Sequence, residues 1–126
     1  MFYQQDWLGK QIQLLVRFVA KVVFGKDTAE GTKLVEQSAD GTDILYRDIK
    51  QLVADGEICQ AENLLFYTIE PGNKNHLAVA IEFYSMLNEF SDEVLEASSF
   101  SRSEIKDGIR TVMEMYGLDF TDEFLS

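Results

Sequence analysis

The sequence predicts an all-α single domain of five or six helices in antiparallel hairpins. Three observations carry that reading. Apolar residues recur at three- and four-residue spacing through almost the whole chain. No segment alternates apolar and polar residues between hairpin dipeptides, the pattern that marks strands. The breaks between periodic segments are short, as between antiparallel helix neighbours. The 126 residues make one domain, 1–126. A chain of that length buries about two thirds of the surface exposed when unfolded. A hydrophobic content of 46% excludes disorder.

The first element is a long amphipathic, basic helix within residues 1–26. Asp6, Lys10, Gln13, Arg17 and Lys21 fall on one narrow polar stripe. Trp7, Leu8, Ile12, Leu14, Leu15, Val16, Phe18, Val19, Val22 and Val23 fill the rest, an arc of about 240°. A helix lying on one protein surface needs an apolar arc of only about 100°, so this one should be wrapped on two sides. Gly25 is placed to end it in the left-handed conformation.

Residues 27–126 form an acidic helical body. Asp27 is the expected N-cap of a short helix running to about Ala39, before a turn at Asp40-Gly41. Thr42 is the expected cap of the next helix, which buries Ile44, Leu45, Ile49, Leu52 and Val53 and breaks at Asp55-Gly56. Glu57 to Glu70 follows, with Ile58, Ala61, Leu64, Leu65, Thr68 and Ile69 inward, and Pro71-Gly72-Asn73 is a loop. From Asn75 to about Glu89 two adjacent apolar stripes predict burial on two sides. Ser91 caps a short helix with Val94 and Leu95. Ser101 and Glu104 fit a capping box for a helix that buries Ile105, Ile109, Val112, Met113 and Tyr116. Gly117 and Leu118 suit a Schellman ending, and Thr121–Leu125 could add one turn.

Composition narrows function. The net charge is -11, which repels a phosphate backbone and excludes nucleic acid as a partner. The charge is polarised: residues 1–26 carry +3 and the remainder -14. No targeting signal and no apolar stretch of about 20 residues is visible, and with a lone thiol the expected setting is the cytoplasm. The single Cys59 excludes an internal disulfide and, with His76 the one histidine, excludes multi-imidazole or zinc sites.

The chemical motifs fail one by one. Gly25-Lys26-Asp27 lacks both the upstream Gly and the Ser or Thr of a phosphate loop. Cys59 is expected to be a small structural residue of a helix contact, and His76 a partly exposed residue of a first turn. The acidic clusters Asp92, Glu93, Glu96 and Asp119, Asp122, Glu123 read as solvated helix starts. The expectation is therefore no enzyme, no catalytic residue, no metal and no cofactor.

The run Gly56, Ile58, Ala61, Leu65, Pro71 resembles the spacing of a tetratricopeptide hairpin. The bundle this implies is a degenerate, tetratricopeptide-repeat-like one. Phe24-Gly25-Lys26, Ala61-Glu62-Asn63-Leu64-Leu65-Phe66, Phe83-Tyr84, Phe100-Ser101-Arg102-Ser103-Glu104-Ile105 and Tyr116-Gly117 together resemble an uncharacterised family of small, acidic, all-helical bacterial proteins. That resemblance implies a bacterial cytoplasmic setting and brings no catalytic residue.

The function expected is a non-enzymatic protein-interaction module or adaptor that self-associates, most simply as a homodimer. The alternative is a peripheral protein held on a membrane surface by its basic first helix. The candidate partner-binding residues are Trp7, Lys10, Arg17, Phe18 and Lys21 on the first helix, with Tyr46, Asn63 and Tyr67 beside the grooves of the body. Tyr46 and Tyr67 are expected to pack their rings and leave their hydroxyls wet.

Overall fold

A computed structural model describes residues 2–25 and 41–118. Among the described residues every regular element is helical. They are α1 (Phe2–Val19), α2 (Thr42–Ala54), α3 (Ile58–Thr68), α4 (Lys74–Asn88), α5 (Asp92–Ala97) and α6 (Arg102–Met115). The expected helix from Asp27 to Ala39 and the turn at Thr121–Leu125 lie outside the described residues.

α1 does not stop at Val19. It widens into one π-helical turn, Ala20–Phe24, and ends at Gly25, whose N–H bonds back to the carbonyls of Ala20 and Lys21. The left-handed Gly25 makes this stop possible, as the sequence predicts.

The α2 start differs from expectation. Gly41 is the N-cap, with no side-chain cap bond, and Thr42 is the first helical residue, buried at 1% exposure. A threonine turned into the core cannot serve the helix end. α2 and α3 form a tight hairpin closed by a Schellman bond from the Glu57 N–H to the Leu52 carbonyl, 2.8 Å. Asn73 caps α4 by accepting from the N–H groups of Asn75 and His76.

α4 is the central helix. Leu77 to Ile81, Phe83, Tyr84 and Leu87 are all buried, and the helix packs on α1, α2 and α6. This is the two-sided burial its double stripe predicts. α4 and α6 are antiparallel. At one end the Arg102 guanidinium donates to the Asn88 carbonyl (2.8 Å), and at the other the Tyr116 hydroxyl donates to the Asn73 carbonyl (2.7 Å). The α6 ends match the sequence. Ser101 accepts from the Glu104 N–H, and the Leu118 N–H closes a Schellman turn on the Met113 carbonyl at 2.8 Å. The capping box is reciprocal only through side chains: the Ser101 hydroxyl donates to Glu104 Oε1 at 3.2 Å.

Two further contacts hold α6 against its neighbours. Gly108 lies flat against Tyr84, leaving no room for a side chain. Arg102 is largely buried, and it also donates to the Phe90 carbonyl, to Asn88 Oδ1 (3.0 Å) and to Asp92 Oδ1 (3.0 Å). One planar fork thereby ties the end of α4 to the start of α5 and α6.

Candidate interaction surface

α1 has two unlike sides. Ile12, Leu15, Val16, Val19 and Ala20 are buried, on the side where α1 packs against α4 and α6. Trp7, Leu14 and Val22 are 53%, 43% and 59% exposed. Phe18 is half-buried between them. On a helical wheel these four residues form one line along the outward face. Lys10, Arg17 and Lys21 are exposed and edge that line. Of the ten apolar residues of the arc, four are buried, three are half-buried and only Trp7, Leu14 and Val22 are exposed, so the wrapping expected of α1 is incomplete along that line.

The edge of the stripe nearest α6 is built from polar groups. The Lys106 ammonium donates to Gln11 Oε1 at 2.9 Å and stands 5.9 Å from the centre of the Trp7 ring. Gln11 is 3% exposed, a buried polar residue that sequence reasoning missed. Its carbonyl is satisfied by the lysine, so its burial carries no uncompensated polar group there. The position is legible only weakly, as a glutamine four residues beyond Trp7 and four before Leu15.

The other three candidates lie elsewhere. Tyr46 belongs to α2, and Asn63 and Tyr67 to α3, helices that pair with each other. Tyr46 is half-buried and its hydroxyl donates to Glu82 at 2.7 Å. Lys50 stands 5.1 Å from its ring centre. Burial and then the Glu82 carboxylate push the Tyr46 phenol well above its ordinary range. Asn63 is exposed, and Tyr67 is 91% exposed with its ring unpacked. The expectation of packed rings and wet hydroxyls is met in half at each: the Tyr46 ring packs against the core but its hydroxyl found a carboxylate, and Tyr67 leaves its hydroxyl to solvent but has its ring unpacked.

Chemistry-bearing residues are scattered. Cys59 is exposed, 3.9 and 4.0 Å from the carbonyls of Ser98 and Ser99. The expected structural burial of this thiol is not observed. His76 is buried, and its Nδ1 accepts from the Glu70 N–H at 3.1 Å, which corrects its expected partial exposure. Cys59 begins α3 and Glu70 follows its end, so thiol and imidazole stand roughly 15 Å apart by helical rise. A thiol–imidazole pair is not formed. Among the described residues, no three His, Cys, Asp or Glu side chains gather as metal ligands. No described helix is long and apolar enough to cross a membrane. Two clefts open to solvent, of about 390 Å³ beside Tyr46 and about 470 Å³ between Lys10, Asn88 and Arg102. In the second, Asn88 and Asp92 are already bonded to Arg102.

No curated protein and no solved structure matches this chain. A family of unknown function, DUF6483, matches residues 2–117, which carry all six described helices. The chain belongs to that family.

Proposed function

We propose that the protein is a non-enzymatic protein-interaction module that self-associates through the outward face of α1. The observation that carries this reading is the exposure of Trp7, Leu14 and Val22 on a helix whose other side is buried. Large apolar side chains contribute about 1.5–3 kcal/mol each when buried, so covering that line stabilises an assembly substantially. A line of this kind on a small protein marks an interaction site. Charge supports a second copy as the occupant. Lys10, Arg17 and Lys21 edge the line, while residues 41–118 hold fourteen acidic and six basic side chains. Every copy therefore brings an acidic body to a basic, apolar strip, and complementary charge favours productive encounter. The tight α2–α3 hairpin around Gly56 supports the repeat-like part of the reading.

Light scattering after size exclusion tests the proposal. The expected result is an oligomer, most simply a dimer. Leu14→Asp should dissociate it with the helical circular dichroism unchanged. Removing residues 1–26 should give an aggregating product, because Ile12, Leu15, Val16 and Val19 are part of the core. A monomeric wild-type protein would refute the proposal. The basic fringe beside exposed apolar residues also supports a second reading, attachment to an anionic membrane surface. Flotation with anionic vesicles would reveal it, and Leu14→Asp should abolish it.

A further inference from the structure

We infer that the outward face of α1 is met by the acidic face of α5 on a second copy, reciprocally, about a two-fold axis. This rests on the self-association proposed above and names its contact. The cleft of about 470 Å³ sets the two surfaces side by side within one copy. Gly9, Lys10 and Gln13 of α1 line one wall, and Asp92 and Glu93 of α5 stand on the other. The order of side chains across this face follows from the two helices. Asp92 lies against Arg102 at the cleft. Leu95 is buried, which turns Glu93 and Glu96 outward and leaves Val94, 47% exposed, on the side away from Asp92. On α1, Lys10 and Arg17 share the stripe nearest the cleft, and Leu14 and Trp7 follow it around the helix. The face therefore runs from Val94 through Glu93 and Glu96 to the cleft, then through Lys10 and Arg17 to Leu14 and Trp7.

That order is its own complement. A half-turn about an axis through the cleft reverses it, so Glu93 and Glu96 of each copy meet Lys10 and Arg17 of the other, and Val94 meets the apolar line. A two-fold contact requires such a patch, one that fits itself, and it closes as a dimer. The lengths agree: Lys10 to Arg17 is about 10.5 Å at helical rise, and the six residues of α5 span about 9 Å. The charges are unmixed, since Glu89–Ala97 holds four acidic side chains and no lysine or arginine. The exposed face of α2, by contrast, mixes Arg47 and Lys50 with Asp43 and Asp48. The same carboxylates select a second copy over an anionic membrane, which they would repel beside the basic strip.

The test uses full-length chains and light scattering. Lys10→Glu/Arg17→Glu reverses the strip, and Glu93→Lys/Glu96→Lys reverses α5. All four side chains are exposed, so the helical circular dichroism should persist in each variant. Each variant alone should associate about 30-fold more weakly, because both contacts of its dimer then set like charges together. An equimolar mixture of the two should regain a dimer, and only a heterodimer, since each strip then faces an α5 of opposite charge. A chain carrying all four reversals should dimerise as the wild type does. Val94→Asp, on the far side of α5 from the cleft, should weaken association as well. If the wild type is a dimer that Leu14→Asp dissociates, yet the reversed α5 and Val94→Asp leave it intact, α5 is not the counterpart and self-association through α1 stands. If neither the mixture nor the fourfold chain regains a dimer, the reciprocal contact is overturned. If the wild type is a monomer, both proposals fall.

Discussion

Gly108→Ala tests the closest approach in the fold. In an exposed helix interior this change is stabilising by about 1 kcal/mol, because alanine is the better helix former. Here a Cβ would come within 2.6 Å of Tyr84 Cε1 and closer still to Cζ and the hydroxyl oxygen, where real Cβ atoms do not approach under 3.0 Å. The ring has little means of yielding. Tyr84 is fully buried, lies 4.9 Å from the Phe83 ring centre, and donates to Glu62 at 2.7 Å. Overpacking a filled core costs about 1–3 kcal/mol. Displacing the hydroxyl from Glu62 adds about 1.5–3 kcal/mol. Against the helix-propensity gain, the net loss is about 2–4 kcal/mol, or roughly 1–2 M in urea midpoint. Gly9→Ala is the matched control. Its Cβ would meet only Asn88 Oδ1 at an ordinary 3.7 Å, so its midpoint should rise slightly. A Gly108→Ala midpoint at or above that of the wild type would show that α6 does not lie against Tyr84.

Four further outcomes are expected. Arg102→Ala should cost about 2–4 kcal/mol in urea denaturation, since it leaves the Asn88 and Phe90 carbonyls and Asp92 without their donor. Arg102→Lys should recover only part of that, a point charge being unable to replace a fork. Ser101→Ala and Gly117→Ala should each cost about 1 kcal/mol, through a lost N-cap and a left-handed backbone at Gly117. Unchanged midpoints in both would place the ends of α6 elsewhere. Burial raises the Glu62 carboxyl above its ordinary 4.5, the Tyr84 hydrogen bond opposes that rise, and the charge of Glu104 adds to it. The folded state then holds a proton that the unfolded state releases, so stability falls as pH climbs from 4.5 through the folded value. Glu62→Gln should accordingly be the more stable protein at pH 7, with the advantage gone at pH 4. At high pH the sign concerns tyrosines. Burial and the Glu62 carboxylate push Tyr84 far up, and burial with the Glu70 charge pushes Tyr116 up to about 12. Unfolded tyrosines ionise near 10, so stability is lost above that pH, about 1.4 kcal/mol per pH unit from Tyr84 alone. Phenolate absorbance from Tyr84 should grow only as helical dichroism disappears.

Much of the helix pattern was legible in order. The caps at Ser91 and Ser101, the stops at Gly25 and Gly117, and the double-sided burial of α4 all follow from local rules, since each needs only neighbours within about one turn. Thr42 shows where such rules give way: a residue fit to cap was drawn into the core, and Gly41 took the N-cap position. Arg102 was invisible as a network centre, its partners lying ten to fourteen residues away and on other elements. Gly108 did leave a signal, a glycine between Ile105 and Ile109 on a buried face, where only a close neighbour excuses the loss of helix propensity. His76 left none, because its acceptor role depends on how the chain turns at Pro71-Gly72. Of the candidate interaction residues, those of α1 share one helix and so share a face. Tyr46, Asn63 and Tyr67 shared only a place beside apolar stripes, and the fold sets them on a different helix pair.

The amino-acid sequence by itself determined an all-helical chain, most of its helix ends, and a basic first helix joined to an acidic body. Those properties are encoded in spacing and charge along a few consecutive residues. Only the tertiary structure decided which part of the α1 arc would be covered. Ile12, Leu15, Val16 and Val19 are buried in the bundle while Trp7, Leu14 and Val22 stay largely exposed, although all seven belong to one apolar arc on the wheel. Periodicity records which side chains avoid water. Which neighbour relieves them depends on contacts between residues as far apart as Gly9 and Asn88 or Gln11 and Lys106, and no local pattern carries that distance.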